Sequence, residues 1–289
     1  MSRQAATPIL SPIATSIVAI VILAAACGPS NGSPTAVATG SVTTPSVAAS
    51  ISPSPPPASP ATPPSASPAS SAFARNPAEI VEDKPYSQAI DPANFVATID
   101  NPYYPLKPGT VWTYGGDETI EVTVTSDTKL ILGVATTVVR DRGFVNGALV
   151  EDTFDWFAQD RQGNVWYFGE KTAEYRDGKV ISTRGSWTAG VDGAQPGIVM
   201  LAQPQVGDAY RQEYYKGEAE DMAEVTAVTG KLTVPQGTYS DILVTEEWTP
   251  LEPAVRERKT YGRDVGLIEA RAIRSGSQVV QLEEMKRAP

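Results

Sequence analysis

Ile120, Val122 and Val124 alternate with Glu121, Thr123 and Thr125. This is the period-two pattern of a strand with one buried and one solvated face. From about Val111 to the C terminus the pattern stays strand-like and is broken at short intervals by turn pairs. These are Gly115-Gly116, Asn146-Gly147, Gly163-Asn164, Asp177-Gly178, Thr229-Gly230 and Ser275-Gly276. Asn-Gly and Asp-Gly mark hairpins because both central residues of a type I′ turn need positive φ. The spacing predicts a mainly β fold, a single antiparallel meander of about 10–12 strands curled into a barrel or half-barrel. Upstream, Asp91-Pro92 is an N-cap and first-turn pair that predicts a short helix over Pro92–Phe95.

Two stretches depart from simple alternation. Around Gly163, Trp156-Phe157 and Trp166-Tyr167-Phe168 put aromatic rings on both faces of a hairpin. Both faces must then be covered. One packs inside the barrel, and the other lies under a loop or helix or lines a ligand cavity. Trp156, Trp166 and Phe168 are the candidate ligand contacts. Trp187 to Pro204 is rich in Gly, Ala and Pro around one apolar knot, Ile198-Val199-Met200-Leu201. It is too long for a hairpin turn and is expected to be a lid or a plug.

The N-terminal pattern is different. Ile9 to Leu23 is an apolar run preceded by Arg3 and followed by Ala24-Ala25-Ala26-Cys27, with the only cysteine of the chain. A thin positive region, an apolar core and small residues before the cysteine are the parts of a secretory signal. The segment resembles the bacterial lipobox, although the usual Leu position is occupied by Ala24. That resemblance implies cleavage before Cys27, lipidation of its sulfur and a membrane-anchored, extracytoplasmic protein. An uncleaved span and an ordinary secretory signal are the competing readings, the first disfavoured because the core falls short of the roughly 20 residues a span needs. Gly28 to Ala74 is Pro, Ser, Ala and Thr with no charged residue. It cannot offset the entropy of folding and reads as an extended, disordered stalk. The expected organisation is a signal peptide over 1–26, lipidated Cys27 and stalk over 27–75, and a β-rich domain over 76–289.

Composition narrows the function classes. All 33 acidic residues lie in the domain, against 21 of the 23 basic ones, for a net charge of −12 there. Such a surface repels nucleic acid and anionic membrane. The chain has no histidine. A Ser-His-Asp triad, a Cys-His pair and a His-ligated metal are therefore excluded. No dinucleotide, P-loop, nucleophile-elbow or EF-hand motif is present. No cofactor is expected.

In Glu218-Ala219-Glu220-Asp221-Met222-Ala223-Glu224, strand periodicity turns Asp221 inward among small apolar neighbours. A buried carboxylate must be paired, bonded or protonated. Asp221 is accordingly a candidate ligand contact, acid/base or calcium ligand, with pairing to an arginine such as Arg211 as the ordinary alternative. Asp152 and Asp155 fall on opposite faces of one strand. Glu246 and Glu247 face Arg256, Arg258 and Lys259 across a short Pro-containing loop, as expected for cross-strand ion pairs.

Asn101-Pro102-Tyr103-Tyr104-Pro105-Leu106-Lys107-Pro108-Gly109 with Trp112 and Tyr114, Val234-Pro235-Gln236-Gly237-Thr238-Tyr239, and Asp264-Val265-Gly266-Leu267 resemble motifs of a group of secreted bacterial β-rich proteins with no assigned activity. Asp264 stands where that group usually has Gly. The resemblance spans about residues 91–285 and implies a β-sheet fold without implying a reaction. By looser analogy, such folds are similar to half-barrel lipoprotein carriers and lipocalin-like barrels that hold apolar ligands.

Two function classes follow, with an enzyme third. One is a non-enzymatic lipoprotein that binds an apolar or amphiphilic small molecule or lipid. The other is an interaction lipoprotein with a packed core and an acidic surface for an envelope partner. An apolar cavity above about 300 Å³ distinguishes the first from a filled barrel. An enzyme would need two carboxylates at one cleft.

Overall fold

The computed structural model describes residues 85–287. Cys27, the signal segment and the stalk lie outside the described residues. The domain opens with a 3-10 turn, Pro92–Asn94, whose N-cap Asp91 accepts from the Ala93 amide. Eighteen strands follow: β1 (Phe95–Val96), β2 (Val111–Gly116), β3 (Thr119–Ile131), β4 (Val134–Val145), β5 (Ala148–Asp160), β6 (Val165–Arg176), β7 (Lys179–Ser182), β8 (Trp187–Thr188), β9 (Gln195–Met200), β10 (Ala209–Arg211), β11 (Glu213–Tyr214), β12 (Met222–Ala227), β13 (Leu232–Val234), β14 (Gly237–Tyr239), β15 (Ile242–Trp248), β16 (Arg256–Gly262), β17 (Gly266–Arg274) and β18 (Val279–Lys286).

All the strand pairs are antiparallel, and the main sheet runs β10-β12-β15-β16-β17-β18-β2-β3-β4-β5-β6-β9-β11. Its two ends, β10 and β11, are consecutive in the chain with only Gln212 between them. The sheet is thus nearly closed into a barrel. β13 and β14 form a separate hairpin.

The turn chemistry is as the residues require. Asn146 and Gly147 sit at φ 50° and 78°, and Asp177 and Gly178 at 52° and 71°, the left-handed pair of a type I′ turn. Ile120, Val122 and Val124 are buried, as are Phe157, Leu243, Ile268 and Leu282. The segment expected to be a lid or plug instead contributes two strands to the sheet, with turns between and after them. Trp187–Thr188 pairs with β6, and Gln195–Met200 is a strand between β6 and β11. Its glycines obscured this, but Gly197 has a structural task. A Cβ there would stand 2.4 Å from the carbonyl carbon and oxygen of Gln212, so only glycine lets β9 approach the seam.

The first and third motif segments meet in space, and the second bonds β18 beside Tyr114. Trp112 Nε1 donates to the Val265 carbonyl at 2.8 Å, and Tyr114 Oη to that of Leu267 at 3.1 Å. The Asp264 amide bonds the Pro102 carbonyl, and the Gln236 amide that of Leu282. Asp264 lies at φ 60°, which explains why glycine suits that position. Asn101 Nδ2 donates to the carbonyls of Gly163 and Leu201 at 2.9 and 3.1 Å. The motifs are staples that hold chain ends onto the barrel.

Candidate functional site

The two faces of the β5–β6 hairpin are set by one bulge. Asp155 pairs with Glu170 and Phe157 with Tyr167, so Phe168 and Gly169 together oppose Trp156. The extra residue shifts the side-chain phase. Tyr167 and Glu170, three apart, consequently face the same interior. Gly169 has φ 122°, and a Cβ on it would lie 2.3 Å from the Trp187 carbonyl oxygen.

The interior this creates is acidic. β5 and β6 contribute Glu151, Asp155, Glu170 and Glu174, β11 adds Glu213, β15 and β16 add Glu247 and Glu257, and Asp221 lies at the start of β12. Lys259 is the buried lysine among them, 3.0 Å from Glu247 and 3.8 Å from Glu257. Tyr167 Oη lies 2.8 Å from Asp155 Oδ1 and 3.1 Å from Glu170 Oε2. A phenol has one proton to give, so one of those two carboxyls must carry its own.

Burial agrees with that geometry. It pushes Asp155 up to about 7 despite the Tyr167 bond, and pushes Glu170 well above the carboxylate range with help from the charges of Asp155, Glu213 and Glu151. Burial also lifts Glu213 to about 8, against the pull of the Trp187 Nε1 bond at 3.0 Å. Glu151 and Glu257 are raised to about 7, again chiefly by burial. Among the described residues, no cluster of three or more acidic side chains is arranged to hold a metal ion.

Asp221 is buried and faces this cluster, as its periodicity implied, but it is not the only inward charge. Burial, then Glu213, raise it well above the carboxylate range. The arginine proposed for it, Arg211, pairs instead with Glu220 at 3.9 Å. The outward members of the acidic pairs are ordinary ion pairs: Asp152 with Arg140 at 2.7 Å and Glu246 with Arg258 at 2.8 Å.

Among the described residues, Phe157, Tyr167, Leu243, Ile268 and Leu282 pack the barrel interior. One cavity, beside Tyr104, Trp112, Lys259 and Tyr261, leaves about 40 Å³, room for a few water molecules at most. Phe157 stacks on Tyr167 there with centroids 4.9 Å apart. An open cleft of about 350 Å³ lies beside the bulge, bounded by Trp156, Trp187, Glu170, Lys129 and Lys171. A second open cleft, of about 360 Å³, runs between Asn164 and Tyr210.

Of the three aromatic candidates, only Trp156 reaches the first cleft. Lys129 Nζ sits 2.9 Å from its ring centroid. Trp166 and Phe168 pack edge-on against Phe95 of β1, at 6.2 and 5.6 Å, and Trp166 Nε1 donates to Asp160 at 2.9 Å. They are the outer aromatic face covered by the N-terminal segment. Sequence reasoning missed Glu170, because its inward phase depends on the bulge. The one signal was a glycine interrupting an aromatic strand.

No family model and no curated protein matches the sequence. Among solved structures, the chain is similar to a protein of Bacteroides fragilis inferred to be exported and described as having a YmcC-like fold. Identity is 14%, TM-score 0.39, and 64% of this chain and 99% of that one are covered. It is also similar to a protein of Parabacteroides distasonis inferred to be a lipoprotein, at 12% identity and TM-score 0.31, covering 64% and 98%. Neither likeness is close enough to assign an activity.

Proposed function

We propose that this protein is a lipid-anchored, extracytoplasmic, non-enzymatic binding module that takes an amphiphilic ligand in the cleft beside Trp156. The anchor rests on the lipobox-like segment ending in Cys27 and the uncharged stalk that follows. The observation that carries the binding reading is the contrast in space. The cavity beside Tyr104 and Lys259 leaves about 40 Å³, whereas the cleft beside Trp156 leaves about 350 Å³, within the range of small-molecule sites. Its walls mix indole rings, charged groups and Val191, which suits a ligand that is part polar and part apolar.

The test is to extract the full-length protein in mild detergent and identify co-purifying small molecules by mass spectrometry, beside a Trp156→Ala variant. A species retained by the native protein and lost from the variant supports the reading. Identical profiles count against it.

A second reading is favoured by the filled interior itself: an interaction lipoprotein whose packed core presents an acidic surface to an envelope partner. Cross-linking that captures one protein partner, with no ligand bound at the cleft, would favour it.

A further inference from the structure

We infer that the cleft receives a zwitterionic head group, with its ammonium on Glu170 and its anionic group between Lys129 and Lys171. This rests on the binding reading above and names the ligand class. Glu170 is 1% exposed and lines the cleft, yet its Oε1 has no hydrogen-bond partner. An unpaired buried acceptor carries a desolvation cost that an N–H donor removes. Lys129 and Lys171 line the same cleft, and the charge of Lys171 helps lower the affinity of Lys129 for its proton. Neither lysine is ion-paired among the described residues. Two neighbouring ammonium groups that are not ion-paired are relieved by an anion.

The Trp156 ring holds the Lys129 ammonium against the cleft wall, so the charge is already in place. A purely anionic ligand would meet Asp192 and leave the Glu170 oxygen unpaired, and a purely cationic one would meet both lysines. A zwitterion matches both halves. The apolar remainder has a lip to rest on. Val191 lines the cleft at 52% exposure, and Leu132, 45% exposed, packs against the adjoining Gly190. Phosphoethanolamine has this chemistry, either as a lipid head group or free.

The experiment titrates the purified full-length protein in mild detergent with dihexanoyl phosphatidylethanolamine, phosphatidylcholine and phosphatidylglycerol, and with free phosphoethanolamine, read by native mass spectrometry. Phosphatidylethanolamine should bind at least about tenfold more tightly than phosphatidylglycerol, which lacks the cation, and than phosphatidylcholine, which lacks N–H donors. Glu170→Leu, which removes the acceptor, should erase the preference for phosphatidylethanolamine over phosphatidylglycerol. Lys171→Ala, at an exposed position, should weaken both and keeps the test alive if the buried variant does not fold. Free phosphoethanolamine binding as tightly as the lipid supports the head-group assignment and removes the tail from recognition. Phosphatidylglycerol binding as well as phosphatidylethanolamine overturns the zwitterion inference and leaves amphiphile binding standing. Failure of every probe, with native and variant proteins alike carrying nothing, sinks both.

Discussion

Lys259 places its ammonium 3.0 Å from Glu247 inside the barrel, where both side chains are almost wholly removed from water. Glu257 and Tyr261 complete the arrangement, the first at 3.8 Å from the same nitrogen and the second donating to Glu247 at 3.2 Å. The pair joins β15 to β16 from within. Its partner on the outer face, Glu246 with Arg258, is half-exposed and contributes little.

Removing Lys259 should therefore be costly. Lys259→Met leaves two buried carboxylates uncompensated, and breaking a buried pair this way costs about 3–5 kcal/mol. Arg258→Met should cost less than about 1 kcal/mol. Urea denaturation of the two variants checks the contrast. Equal losses would show that the interior pair is not what holds the two strands.

The bulge at Gly169 is the second point of fragility. Gly169→Ala combines a backbone conformation that side chains rarely adopt with a contact of 2.3 Å to the Trp187 carbonyl. Backbone strain of this kind costs about 1–3 kcal/mol before the clash is added. Urea denaturation should show a loss of at least about 2 kcal/mol, and the intrinsic fluorescence of Trp187 should shift as β8 is pushed off β6. A neutral substitution would mean that β8 is free to move.

How much of this was legible in the residues depends on where phase is decided. The alternation at Ile120–Thr125 and the turns at Asn146-Gly147 and Asp177-Gly178 follow from local geometry, so they could be read directly. The strand over Gln195–Met200 could not, because Pro196 and Gly197 look like loop residues until the approach of Gln212 is seen. The acidic interior was hidden for a similar reason. Glu151, Thr153 and Asp155 alternate with Asp152 and Phe154, and a polar residue at every second position reads as a solvated face unless the register says otherwise. Asp221 was legible because its own-face neighbours are small and apolar. Glu170 was not, since a one-residue bulge decides whether it or Lys171 points inward.

Trp156 and Trp166 looked equivalent in the sequence and are not in the fold. Trp166 lies against Phe95 and bonds Asp160, so Trp166→Ala should cost about 3 kcal/mol of stability and leave ligand retention unchanged. Trp156→Ala removes a wall of the cleft and the seat of Lys129, so it should reduce ligand retention by more than its effect on stability explains. Thermal melts paired with mass spectrometry of bound material separate the two. Loss of the ligand from the Trp166 variant alone would move the site beneath the N-terminal segment.

The interior carboxyls also fix the sign of the pH dependence. Glu151, Asp155 and Glu257 titrate near 7 and Glu213 near 8 in the folded protein, with Glu170 and Asp221 raised well above the carboxylate range. In the unfolded chain the same groups titrate near 4. Between about pH 4 and 8 the folded state therefore holds protons that the unfolded state has released. Stability must fall as pH rises through that window, by up to about 1.4 kcal/mol per pH unit for each group involved. Lys259 does not oppose this, because its raised pKa keeps it charged in both states throughout. The melting temperature should fall by several degrees from pH 5 to pH 8, a shift of 1 kcal/mol being about 2–4 °C for a domain of this size. Glu213→Gln should flatten the slope, since an amide has no proton to lose. A melting temperature that rises with pH over this range would show that the interior carboxyls are ionised in the folded protein and stabilised by contacts other than those described.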